Sequence, residues 1–211
     1  MRLLRYGVTL ETLKSEHLEM VRLWRNQDYV RNNMQFKELL TRTDQQQWFN
    51  SMNQEANLFW VISFKDYPIG LIHIKDVDLD NLSGEAGVFI GEPSYLEMPQ
   101  PMLAILFMME LAFYALGLKQ LKAKIKSGNH HAISFNQKLG YKLVPGQQEG
   151  FQYYEASDAD FQSVTKRIRS QSAHMYGGET IVEEVSKLNS LGSSLMKGIS
   201  RADDYFNSKF I

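Results

Sequence analysis

From Gly84 to Tyr141 the residues run in the order strand, loop, helix, strand, helix, and the loop is Glu97-Met98-Pro99-Gln100-Pro101. A helix amino terminus offers unpaired backbone N–H groups to an anion, so this is the position at which a cofactor phosphate would be cradled. The residue types at that position are unusual for the task. Pro99 and Pro101 have no N–H to donate, and Glu97 puts negative charge beside the place a phosphate would take. The donors that remain are the N–H groups of Met98, Gln100, Met102 and Leu103.

Composition removes several other chemistries. The chain of 211 residues holds no cysteine, which rules out disulfides, thiolate metal sites and a cysteine nucleophile together, and points to a cytoplasmic protein. The formal charge of −1 gives no basic surface for a nucleic acid. Met1-Arg2-Leu3-Leu4-Arg5-Tyr6 lacks the apolar run of a signal peptide, and the longest apolar run, Met102 to Met109, is cut by Glu110 and too short to span a bilayer. With 44% apolar residues the chain can bury one full core, leaving a smaller appendage beyond a domain of about 150 residues.

The elements that must hold the loop follow from periodicity. Leu18, Met20, Val21, Leu23 and Trp24 predict a helix from Glu16 to about Asn26 with Ser15 as its cap. A second helix starts after Thr43, its predicted cap, and turns Trp48, Phe49 and Met52 inward. Leu58 to Phe64 and Ile69 to Val77 read as a hairpin closed by Asp66-Tyr67-Pro68, and Ala86 to Ile90 extends the antiparallel sheet. Pro101 to Leu116 is apolar nearly all round, a helix buried against the sheet and ended by Gly117. Leu121 to Lys126 is a strand and Ala132 to Leu139 a helix. Tyr141 to Val144 and Phe151 to Ala156 close the sheet around a Gly146–Gly150 turn. The class is α+β. Residues 158–180 turn polar and read as a linker. In 181–211, Ile181, Val185, Leu188, Leu195 and Ile199 predict an amphipathic helical tail, which packs on its own domain, frays, or serves as a homodimer or partner contact.

Asn129-His130-His131-Ala132-Ile133-Ser134-Phe135-Asn136-Gln137-Lys138-Leu139-Gly140-Tyr141, preceded by Gly84-Glu85-Ala86-Gly87-Val88-Phe89-Ile90, resembles the GNAT superfamily of N-acyltransferases over about residues 3–156. Leu23-Trp24-Arg25-Asn26 and Ile69-Gly70-Leu71-Ile72 resemble the branch that acetylates nucleotide-linked amino sugars in pseudaminic-acid-type pathways. The resemblance implies a mixed, mostly antiparallel sheet with helices on both faces and acetyl-CoA as acyl donor with no metal, while the change of composition after Ser157 puts the domain at 1–157. It implies a sheet splayed open where the donor's pantetheine arm pairs with the backbone of Val88, Phe89 and Ile90. Glu85 falls at the general-base position, and His73 on the neighbouring strand is a second candidate because imidazole titrates near neutrality. Asn129 falls at a cofactor-contacting position and is equally placed to cap a helix. For the amine acceptor the resemblance points to Arg25, Asn26 and Trp48, with the Arg25 fork suited to a phosphate.

Two departures from the family pattern bear on function. The relatives' loop reads approximately Gln/Arg-x-x-Gly-x-Gly/Ala, whose place is taken here by Glu97 to Met102. Losing two charge-assisted bonds of roughly 1.5–3 kcal/mol each lowers CoA affinity on the order of a hundredfold to ten-thousandfold. Asn136 stands where many relatives have tyrosine, and an amide does not readily protonate a leaving thiolate. Four readings stay open at the level of sequence: a CoA-dependent amine acyltransferase, one fed by an acyl carrier protein, one acting on a protein amino terminus, and a GNAT-fold module that binds without catalysis.

Overall fold

The computed structural model describes residues 1–148, 150–185 and 188–210. It opens with a hairpin, β1 (Arg2–Arg5) and β2 (Val8–Thr12), whose register runs from Arg2 opposite Glu11 to Arg5 opposite Val8. Tyr6 (φ 55°) and Gly7 (φ 72°) both lie in the left-handed region, the geometry of a two-residue turn between twisted strands. These strands are too short for the hydrophobic pattern to announce them.

A 3-10 turn, Ser15–His17, leads into α1 (Leu18–Asn26) and the short α2 (Asp28–Arg31). Lys14, not Ser15, holds the N-cap position, because the extra turn moves the start of the helical segment back by one residue. Helix α3 (Arg42–Ser51) is capped by Thr41 rather than Thr43. Thr41 Oγ1 accepts from Asp44 N at 3.2 Å and the Asp44 carboxylate accepts from Thr41 N at 2.8 Å, a reciprocal box that Thr43 has no acid to complete.

Strands β3 (Leu58–Phe64), β4 (Tyr67–Asp78) and β5 (Ser83–Ile90) form an antiparallel meander. Its first turn is Lys65-Asp66, at φ 50° and 60°, so Tyr67 and Pro68 already belong to β4. Helix α4 (Pro99–Glu110) runs on as a π-turn, Leu111–Ala115, and Gly117 at φ 74° ends it. Then come β6 (Gln120–Lys126), α5 (His130–Gln137), β7 (Lys142–Gln148) and β8 (Phe151–Ser157). The Gly146–Gly150 turn predicted between the last two includes Glu149, which lies outside the described residues.

Residues 158–180, expected as a polar linker, instead form α6 (Asp158–Tyr176), with Ser157 Oγ accepting from Asp160 N at 3.0 Å as its cap. Its few inward positions, Phe161, Thr165 and Ser172, suffice to seat it, and a strip that narrow leaves a composition that reads as loop. The tail is corrected too: β9 (Thr180–Glu183), α7 (Ser190–Arg201), α8 (Asp203–Phe206) and β10 (Ser208–Phe210) replace a single amphipathic helix. Residues 186, 187 and 211 of the predicted tail lie outside the described residues.

The sheet has ten strands among the described residues, in the order β10-β9-β1-β2-β3-β4-β5-β6-β8-β7, antiparallel except for β10 with β9 and β5 with β6. Strand alternation sends Trp60, Ile62, Ile72 and Ile74 to the core under α4 and α7. Val61 and Leu71 go to the opposite face, under Leu18, Val21 and Trp24 of α1. Helices therefore cover both faces.

The C-terminal segment completes this core. Leu191, Leu195 and Ile199 of α7 are buried within the chain itself, so they form no exposed stripe for a partner or a homodimer. Gly198 permits the contact: a Cβ there would lie 1.8 Å from Ala115 O. A buried polar cluster fastens the same region. Glu110 Oε1 accepts from the hydroxyls of Tyr6 and Tyr205, each at 2.6 Å, and Arg5 Nε lies 3.0 Å from Glu110 Oε2. Arg5 also donates to Gly178 O, to Thr180 Oγ1 (3.0 Å) and to Phe206 O (3.2 Å), while Arg169 donates to the Tyr205 hydroxyl at 2.5 Å. Burial pushes the Glu110 carboxyl up from its ordinary value and the Arg5 charge pulls against it.

Candidate active site

Strand β5 is paired with β4 along its length, from Lys75 opposite Glu85 to Gly70 opposite Ile90. With β6 it pairs over three residues only, Ser83, Gly84 and Glu85 against Gln120, Leu121 and Lys122. From there β6 continues beside β8 as far as Lys126 opposite Phe151, and β5 has no second strand neighbour from Ala86 to Ile90 among the described residues. The sheet forks. Buried main-chain groups without partners are costly, and an extended polar ligand can supply them as a strand would. Val88, Phe89 and Ile90, expected beside such an opening, lie along that edge; Val88 keeps 37% of its surface exposed although its neighbours on β4 are fully buried.

The mouth of the fork is tied to the first helices. Trp24 packs where a Gly91 Cβ would be, 2.1 Å from its ring, and Trp24 Nε1 donates to Glu92 Oε1 at 3.0 Å. The Tyr29 hydroxyl donates to Gly91 O at 2.7 Å. Any side chain at residue 91 would evict Trp24.

On the α1 face of the sheet the registers line up Glu85 with Lys75, Gly87 with His73 and Phe89 with Leu71. Glu85, at the crotch of the fork, is half-buried and lies 2.9 Å from Lys75 Nζ. The His73 ring covers Gly87, where a Cβ would sit 2.5 Å from Cε1, and stacks on Phe59 at 4.7 Å between centroids. Phe59 in turn meets the edge of Trp48 at 5.2 Å. Burial first, and the charge of Lys75 second, push His73 down to about 3. Its imidazole is neutral and weakly basic at physiological pH, which does not suit His73 to take up a proton. Trp48, Phe59 and His73 form a row of aromatic rings on this face of the sheet, ending over Gly87. Lys75 and Phe59 carry no motif of their own; the alternation of β3 and β4 is the available signal, since it places residues 59, 73 and 75 on one face.

The remaining expected residues divide. Arg25 is half-buried with no hydrogen-bond or ion-pair partner among the described residues, and burial lowers its pKa. Asn26 uses both ends of its amide on Leu40, donating to its carbonyl at 2.9 Å and accepting from its N–H at 2.8 Å, so it serves the chain rather than a ligand. Asn129 Oδ1 accepts from Ala132 N at 3.1 Å and is the cap of α5. Asn136 Nδ2 donates back to Ala132 O at 2.8 Å.

The loop before α4 is poorer in donors than its sequence suggested. The N–H of Met98 is bound to Tyr95 O at 3.1 Å. Met102 and Leu103 lie beyond the first turn of α4, where an N–H meets a carbonyl of the helix itself, and Leu103 is buried. Gln100 keeps a free N–H; its side chain is 8% exposed with Oε1 unpartnered.

A strap from Asn32 to Leu40 joins α1 to the far side of the fork. Arg22 and Asn26 hold Leu40, while Lys124 Nζ donates to Gln35 Oε1 at 2.8 Å and Lys126 Nζ to Asn32 O at 2.9 Å. No sequence signal marks contacts between residues so far apart. One trio among the described residues has metal-ligand types within reach of each other, Glu11, Glu16 and His17. The ammonium of Lys14 already sits there, 2.7 Å from Glu11 and 3.8 Å from Glu16, in the place a cation would take. Among the described residues no helix is long and apolar enough to cross a membrane.

Residues 8–142, well over half of the chain, match the acetyltransferase (GNAT) domain family, and the chain belongs to it. Human alpha/beta-tubulin-N-acetyltransferase 9 is 33% identical over 110 residues, 51% of this chain and 48% of that protein, so the match spans about half the length of each. The fold is shared with the spermidine N-acetyltransferase of Vibrio cholerae solved with CoA and spermine, at TM-score 0.66 and 13% identity over 74% of this chain and 98% of that one. An aminoglycoside acetyltransferase solved with coenzyme A gives TM-score 0.65 at 17% identity over 74% and 98%.

Proposed function

We propose that this domain transfers an acetyl or other acyl group from a pantetheine thioester, acetyl-CoA in the simplest case, to a primary amine of a nucleotide-linked amino sugar. The observation that carries the reading is the fork: five consecutive residues, Ala86 to Ile90, have an open edge in the middle of a ten-stranded sheet. The pantetheine arm lies along that edge, and a main-chain N–H of β5 polarises the thioester carbonyl, a preorganised donor that needs no rearrangement during reaction.

Glu85 accepts the amine proton directly or through one water as nitrogen attacks the carbonyl carbon. The C–S bond then breaks and sulfur leaves as thiolate. Asn136, an amide already committed to Ala132 O, has no proton suited to that sulfur, which leaves as thiolate and takes its proton from water. The row of Trp48, Phe59 and His73 suits the face of a sugar or an amine-bearing chain beside a carboxylate. The unpaired guanidinium of Arg25 favours an acceptor that carries phosphate.

Glu85→Gln tests the reading: kcat falls about 100- to 10,000-fold with donor affinity unchanged, measured by thiol release and calorimetry. Unaltered turnover in that variant would refute the role of Glu85. A second reading, in which the amine belongs to a polypeptide, is favoured by the tubulin-acetylating human relative and by Phe36 and Leu39, which stand exposed on the strap beside the fork. A panel of nucleotide-linked amino sugars, peptide amino termini and polyamines decides between them through kcat/KM.

A further inference from the structure

We infer that this enzyme recognises its acyl donor through the pantetheine arm and takes little affinity from the diphosphate, so that the substrate class is acyl-pantetheine in general, whether carried by CoA or by a carrier protein. The inference rests on the acyltransferase reading above and concerns the other end of the same ligand. The turn between β5 and α4 closes on itself. Tyr95 N–H is bound to Glu92 O at 3.0 Å, Leu96 N–H to Pro93 O at 3.2 Å and Met98 N–H to Tyr95 O at 3.1 Å, and residues 99 and 101 are prolines. Between Tyr95 and Pro101 the free main-chain donors are therefore those of Glu97 and Gln100, among the described residues. One of these carries a carboxylate, and the other is followed and preceded by a residue with no N–H.

The cap of α4 adds nothing for an anion. Met98 has no side-chain acceptor or donor at the N-cap, its side chain is 52% exposed, and no basic residue lies between Gly91 and Glu110. A diphosphate needs several convergent N–H groups or a cation to replace its water, and this turn offers two scattered donors and a negative charge. The open edge from Ala86 to Ile90, by contrast, is intact and can pair with the amides of pantetheine, which carry no charge. Affinity should accordingly follow the length of arm in the fork and not the nucleotide.

Calorimetric titration of the whole chain with CoA, with pantetheine and with 3′,5′-ADP tests this. The expected result is dissociation constants for CoA and pantetheine within about tenfold of each other and no detectable binding of 3′,5′-ADP at millimolar concentration. The double variant Glu97→Gln with Pro99→Ala, both at exposed positions, restores one N–H and removes the charge. It should tighten CoA about tenfold and leave pantetheine unchanged. CoA binding the native protein a hundredfold or more tighter than pantetheine overturns the inference while leaving the acyltransferase reading in place. So does a double variant that shifts both ligands equally or neither. Failure of CoA and pantetheine alike to bind at millimolar concentration removes both, because the fork then holds no pantetheine.

Discussion

Glu110 and Arg25 are both charges withdrawn from water, and they are treated in opposite ways. Glu110 is fully buried and answered from every side, by Arg5, Tyr6 and Tyr205, with Arg169 3.8 Å away. Arg25 is half-buried and has no hydrogen-bond or ion-pair partner among the described residues. The first arrangement closes the molecule: it locks the N-terminal hairpin, the central helix α4 and the C-terminal segment into one core. The second leaves a demand that a ligand can meet. The same contrast holds for backbone, since β9 and β10 pair off the edge beyond β1 while β5 is left open at the fork. Self-satisfaction marks the architectural region, and unmet polar groups mark the region where a ligand is proposed.

If the contrast is right, the largest effect comes from breaking the satisfied cluster. Glu110→Ala leaves Arg5 buried without its counter-charge and should lower stability by about 3–5 kcal/mol, read from urea unfolding. A loss under about 1 kcal/mol would show that the cluster does not hold the C-terminal segment. Next in size, Arg25→Ala should raise KM for a phosphate-bearing acceptor roughly tenfold to a hundredfold while the melting temperature holds or rises. Removing an unpaired, desolvated cation costs the fold nothing. A melting temperature that drops with KM unchanged would move Arg25 into the architectural region.

At neutral pH the smallest effect concerns His73, whose contribution to stability emerges only on acidification. Its folded pKa of about 3 lies below the ordinary 6.5, so between pH 6.5 and 3 the unfolded chain holds a proton that the folded one lacks. Stability thus falls with acidification through that window, by at most about 1.4 kcal/mol per pH unit from this residue. His73→Gln should flatten that limb relative to the native protein, as followed by thermal melting at stepped pH. Parallel limbs in the two proteins would mean that the ring is in contact with water.

Much of the region around the fork was legible in the residues. The alternating runs gave β3 to β6 within a few positions, and Ala132 to Leu139 was read near the observed α5. These elements carry long, strongly periodic patterns. Three features escaped. The hairpin of β1 and β2 is too short to show a period, α6 hides behind a polar composition, and the tail was read as one helix because Ile181 and Leu195 share a spacing but not an element. Within the site, Glu85 and His73 were recognisable as types, but their division of labour was not. The contacts that set His73 apart, the stack on Phe59 and the approach to Gly87, come from other strands.

Residue chemistry alone determined that the turn before α4 would be short of donors, because proline lacks an N–H in any fold. It also determined that no cysteine side chain acts as nucleophile or ligand, because the chain has none. Tertiary structure alone decided that Asn26 clamps a loop, that Arg25 is left without a counterion, that α7 is core, and that β5 and β6 part after three pairs. Each of those depends on which groups meet across tens of residues. A side chain's own type states what it can bond, and only the packed chain settles whether a partner is there.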